Sequence, residues 1–415
     1  MTRAPTRRRG QPRRGAPLAD GPISSVTRAG RRSAMSRRRF LALAGAAGLT
    51  ACVDAGDDRT IDLGGRDRLR ILNWPDYIDA DVDDDTQYPG GTLDELARAT
   101  GMIVDYEPGY TDNIDGFELV LERAVNAEVP AYDIVVPTNW RAAQMINNGW
   151  VEPVPIEVVP NHANIDPAFL TNSWDRGCRY QMPWQAGITG IAYDPAQIEP
   201  VLGGPITSIT QLFDPALAGR VGFIGEMREA VGLVMLANGD DPSRPTDAAA
   251  AAAIDQIVEL DGRGQIGAFT FEDFAPRLAS GELAAAMAWS GDTALLQADR
   301  PDVEFVVPDE GAIQWFDTMV IPGGAANVAA AGRFMDFVYD PANAARVTRW
   351  VGYISPVLGV QEFLADQGGD DADLAANPLL FPDLATRARL FTWGGLDQDT
   401  EDLLDEQYAA LLPDA

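Results

Sequence analysis

The chain has 415 residues, of which 46% are hydrophobic, 2 are Cys and 29 are Pro, a composition that excludes collagen, a coiled coil and a disulfide scaffold. Its length suits two domains of roughly 100 to 200 residues each. The formal charge of −30 hides an asymmetry: residues 1–51 carry 12 Arg and one acid, leaving 20 Arg against 61 Asp and Glu in the remainder. Nucleic acid is thereby excluded as a partner of the body of the protein.

Ser36-Arg37-Arg38-Arg39-Phe40-Leu41 precedes a short apolar run ending at Ala51, too short to span a bilayer as a stable helix. The pattern reads as a twin-arginine export signal. Leu49-Thr50-Ala51-Cys52 then matches a lipobox, whose Cys thiol receives diacylglycerol after cleavage before it; the alternative is a coincidental Cys in a Sec-type signal. Residues 1–34 are rich in Arg, Pro and Gly without apolar periodicity, and read either as a disordered leader or as sequence upstream of a true start at Met35. The expected layout is a leader and signal over 1–51 and a flexible tether over 52–68. The protein is then extracytoplasmic, lipid-anchored through Cys52 to the outer face of the cell membrane, in a periplasm or at the cell surface. Cys178 is left without a disulfide partner and reads as a packed thiol.

In chain order, Leu69–Trp74 reads as a strand, followed by a helix that opens at a capping box, Thr92-Leu93-Asp94-Glu95, and stops at Gly101. Met102–Tyr106 and Tyr132–Pro137 read as strands, Phe117–Val125 and Trp140–Asn148 as helices. This βαβ rhythm implies a mostly parallel sheet covered on both faces, with ligands beyond the carboxyl ends of the strands. A second α/β set begins after Gly187–Tyr193: strands at Arg220–Ile224, Ala284–Trp289, near Val303–Val307 and at Thr318–Pro322, and helices at Glu226–Ala237, Asp247–Leu260, Ala325–Val338 and Pro341–Val351.

Enzyme signatures are scarce. His162, the single His, lies in a turn-rich loop, so neither a His-based triad nor a His metal site has a partner set. The acidic run Asp79–Asp85 fails as an EF-type loop, because Asp84 stands where Gly is needed and Gly90 where Glu is needed; a solvated loop is the plainer reading. No cofactor or metal is implied. What stands out is aromatics beside carboxylates near strand ends: Trp74-Pro75-Asp76-Tyr77, Trp289-Ser290-Gly291-Asp292 and Trp315-Phe316-Asp317. Trp faces attract a cation and a neighbouring carboxylate neutralises it, so the pairs describe a pocket for an organic cation. Glu226 and Glu229, three apart, either join such a pocket or merely favour the start of their helix.

The chain resembles the substrate-binding lipoproteins of spermidine/putrescine ABC uptake systems, from about Leu69 to the C-terminus. The resemblance rests on Asn73-Trp74-Pro75-Asp76-Tyr77, Tyr132 to Thr138, Glu226-Met227-Arg228-Glu229, Ala288 to Asp292, Gly311 to Pro322 and Gly352-Tyr353. It implies a type II periplasmic-binding-protein fold, two α/β lobes joined by crossover hinge segments around a ligand cleft. The first lobe would take 69–190 and 316–390, the second 191–315 and 391–415. It implies a non-enzymatic monomer that captures a polyamine and delivers it to ABC permease subunits. Carried over, the aromatic box falls on Trp74, Tyr77, Trp140, Trp289, Trp315 and Tyr353, and the ammonium-binding acids on Asp76, Glu226, Glu229, Asp292 and Asp317. Thr138 joins the rim. Trp393 stands where some members have Gln, and Pro75 and Glu226 also depart from the common pattern, which bears on the identity of the polyamine. The same fold holding another organic cation, such as choline, betaine or agmatine, or a sugar is the alternative; a hydrolase using Glu226 and Glu229 is disfavoured, since two acids on one helical turn cannot flank a substrate.

Overall fold

The computed structural model describes residues 68–79, 91–110, 113 and 130–412. The leader, Cys52, the tether up to Asp67, the run from Ala80 to Asp85 and the helix expected over Phe117–Val125 lie outside the described residues. Within them the strands are β1 (Arg68–Leu72), β2 (Ile103–Glu107), β3 (Ile134–Val135), β4 (Val151–Glu152), β5 (Gln181–Tyr193), β6 (Val221–Ile224), β7 (Ile266–Thr270), β8 (Ala285–Trp289), β9 (Glu304–Val306), β10 (Ala312–Pro322) and β11 (Leu390–Phe391). The helices that matter for the site are α1 (Thr92–Thr100), α2 (Asn139–Asn147), α3 (Met227–Ala237), α4 (Asp247–Gly262), α5 (Ser290–Asp299) and α6 (Gln398–Ala409).

One continuous sheet runs in the order β2-β1-β3-β10-β5-β8-β6-β7, with β4 and β11 on β10 and β9 on β5. Each wing is parallel: β1 pairs with β2 and β3, and β6 with β7 and β8. The centre is antiparallel, β3 to β10, β10 to β5 and β5 to β8. The mostly parallel sheet expected from sequence therefore forms in the wings and fails in the middle. The cause is β5, 13 residues buried at every position, which has no alternation to betray it as a strand.

Local chemistry sets the element ends. α1 stops at Gly101, whose φ of 76° is the left-handed cap conformation. Its start differs from the expected capping box: Gly91 is the N-cap, and the Thr92 N–H donates to both carboxylate oxygens of Asp79 at 3.1 Å. Asp79 thus serves as the anion at the helix N-terminus, supplied from a distant turn rather than from the helix itself. Glu95 accepts from Arg98 at 2.6 Å instead of turning back to cap.

Two hydrophobic cores form on either side of the crossing strands. The first gathers Leu69, Ile71, Leu96, Met182, Trp184 and Phe334; the second gathers Phe223, Val231, Ile254, Met287, Trp393 and Tyr408. Full burial of each such aliphatic or Phe side chain stabilises the fold by roughly 1.5 to 3 kcal/mol. β5 feeds both cores, Ala186 and Ile188 into the first, Ile191 and Tyr193 into the second. β10 does the same in the opposite direction, with Ile313 in the second core and Phe316, Met319 and Ile321 in the first. Among the described residues no helix is long and apolar enough to cross a membrane. Cys178 is buried and free, its thiol pushed up to about 12 by burial, as a packed residue should be. His162 lies exposed in a short 3-10 turn.

Candidate functional site

The site grows from the middle of β10. Alternation along the strand puts Trp315 and Asp317 on the face opposite Phe316, with Trp315 over Gly187 of β5; both Phe316 and Trp315 pack against the first core. Asp317 is 4% exposed, and both its oxygens accept from hydroxyls: Oδ2 from Tyr77 at 2.6 Å and Oδ1 from Thr138 at 2.7 Å. Thr138 is itself fixed by Asn113, whose Nδ2 donates to Oγ1 at 2.9 Å and whose Oδ1 accepts from the Thr138 N–H at 3.0 Å. Burial lifts the Asp317 carboxyl to about 6 against the opposing pull of these two hydroxyls.

Around this carboxylate stands a train of rings. Tyr77 meets Tyr353 edge-on at 6.0 Å between centroids, Tyr353 meets Trp315 at 5.3 Å, and Trp315 meets Trp289 at 6.3 Å. Two glycines make the packing feasible: a Cβ at Gly187, opposite Trp315 on β5, would overlap the indole ring, and one at Gly291 would come within 2.7 Å of the Tyr353 ring. Tyr353 donates its hydroxyl to Asp292 in the first turn of α5. Burial raises the Asp292 carboxyl to about 6 as well.

Glu229, in the first turn of α3, is a third acid and is buried, as Asp317 is. Its Oε2 accepts from the Thr189 hydroxyl and from the Trp289 indole N–H at 2.8 Å, while Thr189 Oγ1 accepts the Trp315 indole N–H at 3.1 Å. One carboxylate thereby orients two tryptophans, one directly and one through Thr189. Burial first, then the proximity of Glu226, hold the Glu229 carboxyl well above the usual carboxylate range. Glu226 is the N-cap residue of α3.

A cation built into the protein adjoins the same place. Arg228 lies with its guanidinium carbon 3.5 Å from the centre of the Trp140 ring, close enough for a cation–π contact. Its nitrogens donate to both oxygens of Asp405 at 2.9 Å and to Glu401, both on α6. Trp393 donates its indole N–H to the other Glu401 oxygen at 2.9 Å. The cavity bounded by Thr138, Trp140, Glu226, Glu229, Trp315 and Trp393 measures about 10 Å³, the volume one water needs.

The structure brings together Tyr77, Thr138, Glu229, Trp289, Asp292, Trp315, Asp317 and Tyr353 as one hydrogen-bonded and stacked cluster. Trp140, Glu226 and Trp393 line the adjoining cavity, where Trp140 faces Arg228 and Trp393 packs into the second core at 4% exposure. Trp74 stays at the edge, donating its indole N–H to the Val136 carbonyl at 2.9 Å and packing on Tyr110 at 4.6 Å. Asp76 departs from the expected role: it is exposed in a turn with φ of 56°, and no hydrogen bond ties it to the cluster. Sequence reasoning missed Thr189, Asn113 and the acids of α6. Gln185, 3% exposed with an unpartnered Oε1, was also missed, although an amide inside the apolar run from Met182 to Tyr193 was a signal.

Fold and site together define a two-lobed α/β binding protein with an acidic, aromatic cleft. Residues 94–382 match the bacterial extracellular solute-binding protein family, and the chain belongs to that family of non-enzymatic receptors. It is 24% identical over 341 residues to spermidine/putrescine-binding periplasmic protein 1 of Haemophilus influenzae, covering 81% of this chain and 88% of that one. It is 27% identical over 340 residues to the putrescine-binding periplasmic protein PotF of Escherichia coli, covering 78% and 85%. Among solved structures, the spermidine/putrescine substrate-binding protein PotD of Streptococcus pneumoniae shares the fold with a TM-score of 0.68 at 23% identity, covering 83% of this chain and 98% of that one.

Proposed function

We propose that the protein captures a polyamine of the putrescine or spermidine class outside the cytoplasm and delivers it to the permease of an ABC transporter. One observation carries the reading. Asp317 and Glu229 are buried and Asp292 half-buried, the side-chain donors to all three are hydroxyls and indoles, and among the described residues no arginine forms an ion pair with any of them. A buried carboxylate without a counter-charge either keeps its proton or meets a cation from outside. Three of them beside stacked rings suit a ligand with two or three ammonium groups joined by methylenes, the ammoniums on the acids and the chain along the rings. Arg228 is the contrasting case, since its charge is already matched by Glu401 and Asp405. The names of the relatives agree with this chemistry.

The site residues we assign to the ligand are Tyr77, Thr138, Glu226, Glu229, Trp289, Asp292, Trp315, Asp317 and Tyr353, with Trp74, Trp140 and Trp393 as outer walls. A cavity of about 10 Å³ admits no diamine, so capture requires the lobes to part and reclose about β5 and β10. On this reading the lobes take 69–190 with 316–390 and 191–315 with 391–415; the two cores support that division. We also assign the protein a lipid anchor at Cys52 and a monomeric state. A thermal-shift screen of the soluble part against putrescine, spermidine, agmatine, choline and maltose tests the ligand class: an amine of the first two should raise the melting temperature with ligand excess, and a shift with maltose or choline alone would sink the proposal. Mass spectrometry of membrane-extracted protein should find a diacylglyceryl-modified Cys52 at the N-terminus.

A further inference from the structure

β5 shows alternate faces as it passes between the cores. Ala186 and Ile188 enter the first core, so Gln185, Gly187 and Thr189 take the opposite face. That face belongs to the site: the Trp315 ring lies where a Gly187 side chain would stand, and Thr189 bonds both the Trp315 indole and Glu229. Gln185 continues the row and lies opposite Asp317 in the β5–β10 pairing, the last pair before the register shifts between Asp317 and Thr318; opposite residues are side-chain neighbours on one face. It is 3% exposed, and its Oε1 is buried with no hydrogen-bond partner. Buried amide oxygens are almost always satisfied, because leaving one unpaired is destabilising. Its cross-strand neighbour does not satisfy it: ionised Asp317 has no donor, and the Tyr77 and Thr138 hydroxyls that reach Asp317 are spent on it.

We propose that Gln185 is a specificity residue, whose Oε1 accepts an N–H of the ammonium group held by Asp317. The inference rests on the reading of the site as an amine receptor and adds what kind of nitrogen it prefers. A primary ammonium carries three N–H donors, enough for the carboxylate and for the amide. A quaternary nitrogen carries none and leaves Oε1 unpaired, as it is in the ligand-free protein, so only the primary ammonium gains a hydrogen bond there. Gln185 thus separates primary amines from methylated ones of equal charge.

The test is calorimetric titration with putrescine and with the bis-trimethylammonium diamine of the same chain length, on wild type, Gln185→Met and Gln185→Glu, together with the melting temperature of each protein without ligand. Methionine keeps the length and removes the acceptor; glutamate keeps the acceptor. Gln185→Met should lose roughly tenfold or more in putrescine affinity, shrink the preference for putrescine over its methylated analogue by a similar factor, and melt at or above the wild-type temperature. Gln185→Glu should bind putrescine at least as tightly as wild type to within about threefold. Unchanged putrescine affinity in Gln185→Met, a melting temperature that falls in step with affinity, or equal losses in both variants overturns the inference and leaves the amine-receptor reading standing. A wild-type protein that binds no primary amine overturns that reading and this inference with it.

Discussion

Two aromatic–acid pairs in this chain look alike in sequence and differ in space. Trp74-Pro75-Asp76 and Trp315-Phe316-Asp317 both put a carboxylate two residues after a tryptophan. Asp317 lies inside β10, where alternation keeps it on the face of Trp315, and it ends buried on two hydroxyls. Asp76 lies beyond the end of β1 at Leu72, in a turn where Asp76 itself is left-handed, and it ends in solvent. Spacing sets the direction of a side chain only while the backbone keeps one period.

Breaking that contrast is the strongest test. Asp317→Asn leaves a ligand ammonium with a neutral partner, and loss of one member of a buried charge pair commonly costs about 2 to 5 kcal/mol, at least ~30-fold in affinity. Asp76→Asn should move affinity by less than about threefold, as an exposed, screened charge does. Titration calorimetry of both variants decides it, and equal losses would mean that the turn at Asp76 folds inward when ligand binds.

Gly187→Ala sharpens the comparison from the packing side. The new methyl overlaps the Trp315 ring, and overpacking of this kind typically costs 1 to 3 kcal/mol. We expect a lower melting temperature and a loss of affinity of about tenfold, with tryptophan fluorescence reporting the displaced ring. A variant that melts and binds as wild type does would show that the ring has room to move.

Proton linkage gives a smaller effect with a definite sign. Asp317 and Asp292 have folded pKa values of about 6 against an ordinary 3.8, so between these limits the folded protein holds protons that the unfolded chain has lost. Stability of the ligand-free protein is therefore fully present below about pH 4 for these groups and declines as pH rises through 6. Polyamine affinity should climb over the same interval, because ammonium groups near pKa 10 stay charged while the acids ionise. Melting curves and titrations at pH 5, 6 and 7 measure the opposing slopes; parallel slopes would remove these acids from the site.

Gln398–Ala409 and its acids show where sequence reasoning stopped. The βα elements of both wings are legible because short strand-length apolar runs bounded by turn residues alternate with helices of period 3.6, and Trp289, Trp315 and Asp317 are legible because a core has no use for a carboxylate. β5 hides because its 13 residues are buried without alternation over more than the usual length of a buried strand. Arg228 was visible as a letter between two acids, but its partners Glu401 and Asp405 lie more than 170 positions away, a distance over which no local pattern speaks. Gln185 and Thr189 take their meaning from pairing across strands, which one chain read in order does not display.

The interleaving of the cores has a consequence for biosynthesis. Trp393, Leu404 and Tyr408 complete the second core, and Glu401 and Asp405 neutralise Arg228, yet all five come from the end of the chain. Until the last helix emerges, the nascent protein holds an Arg on an unfinished apolar surface, and β5 lacks its β10 neighbour, some 130 residues downstream. Such non-local pairing makes folding slow and leaves strand edges open to other chains. Loss of the last twenty residues would therefore take Leu404 and Tyr408 from the second core and both acids from Arg228 at once.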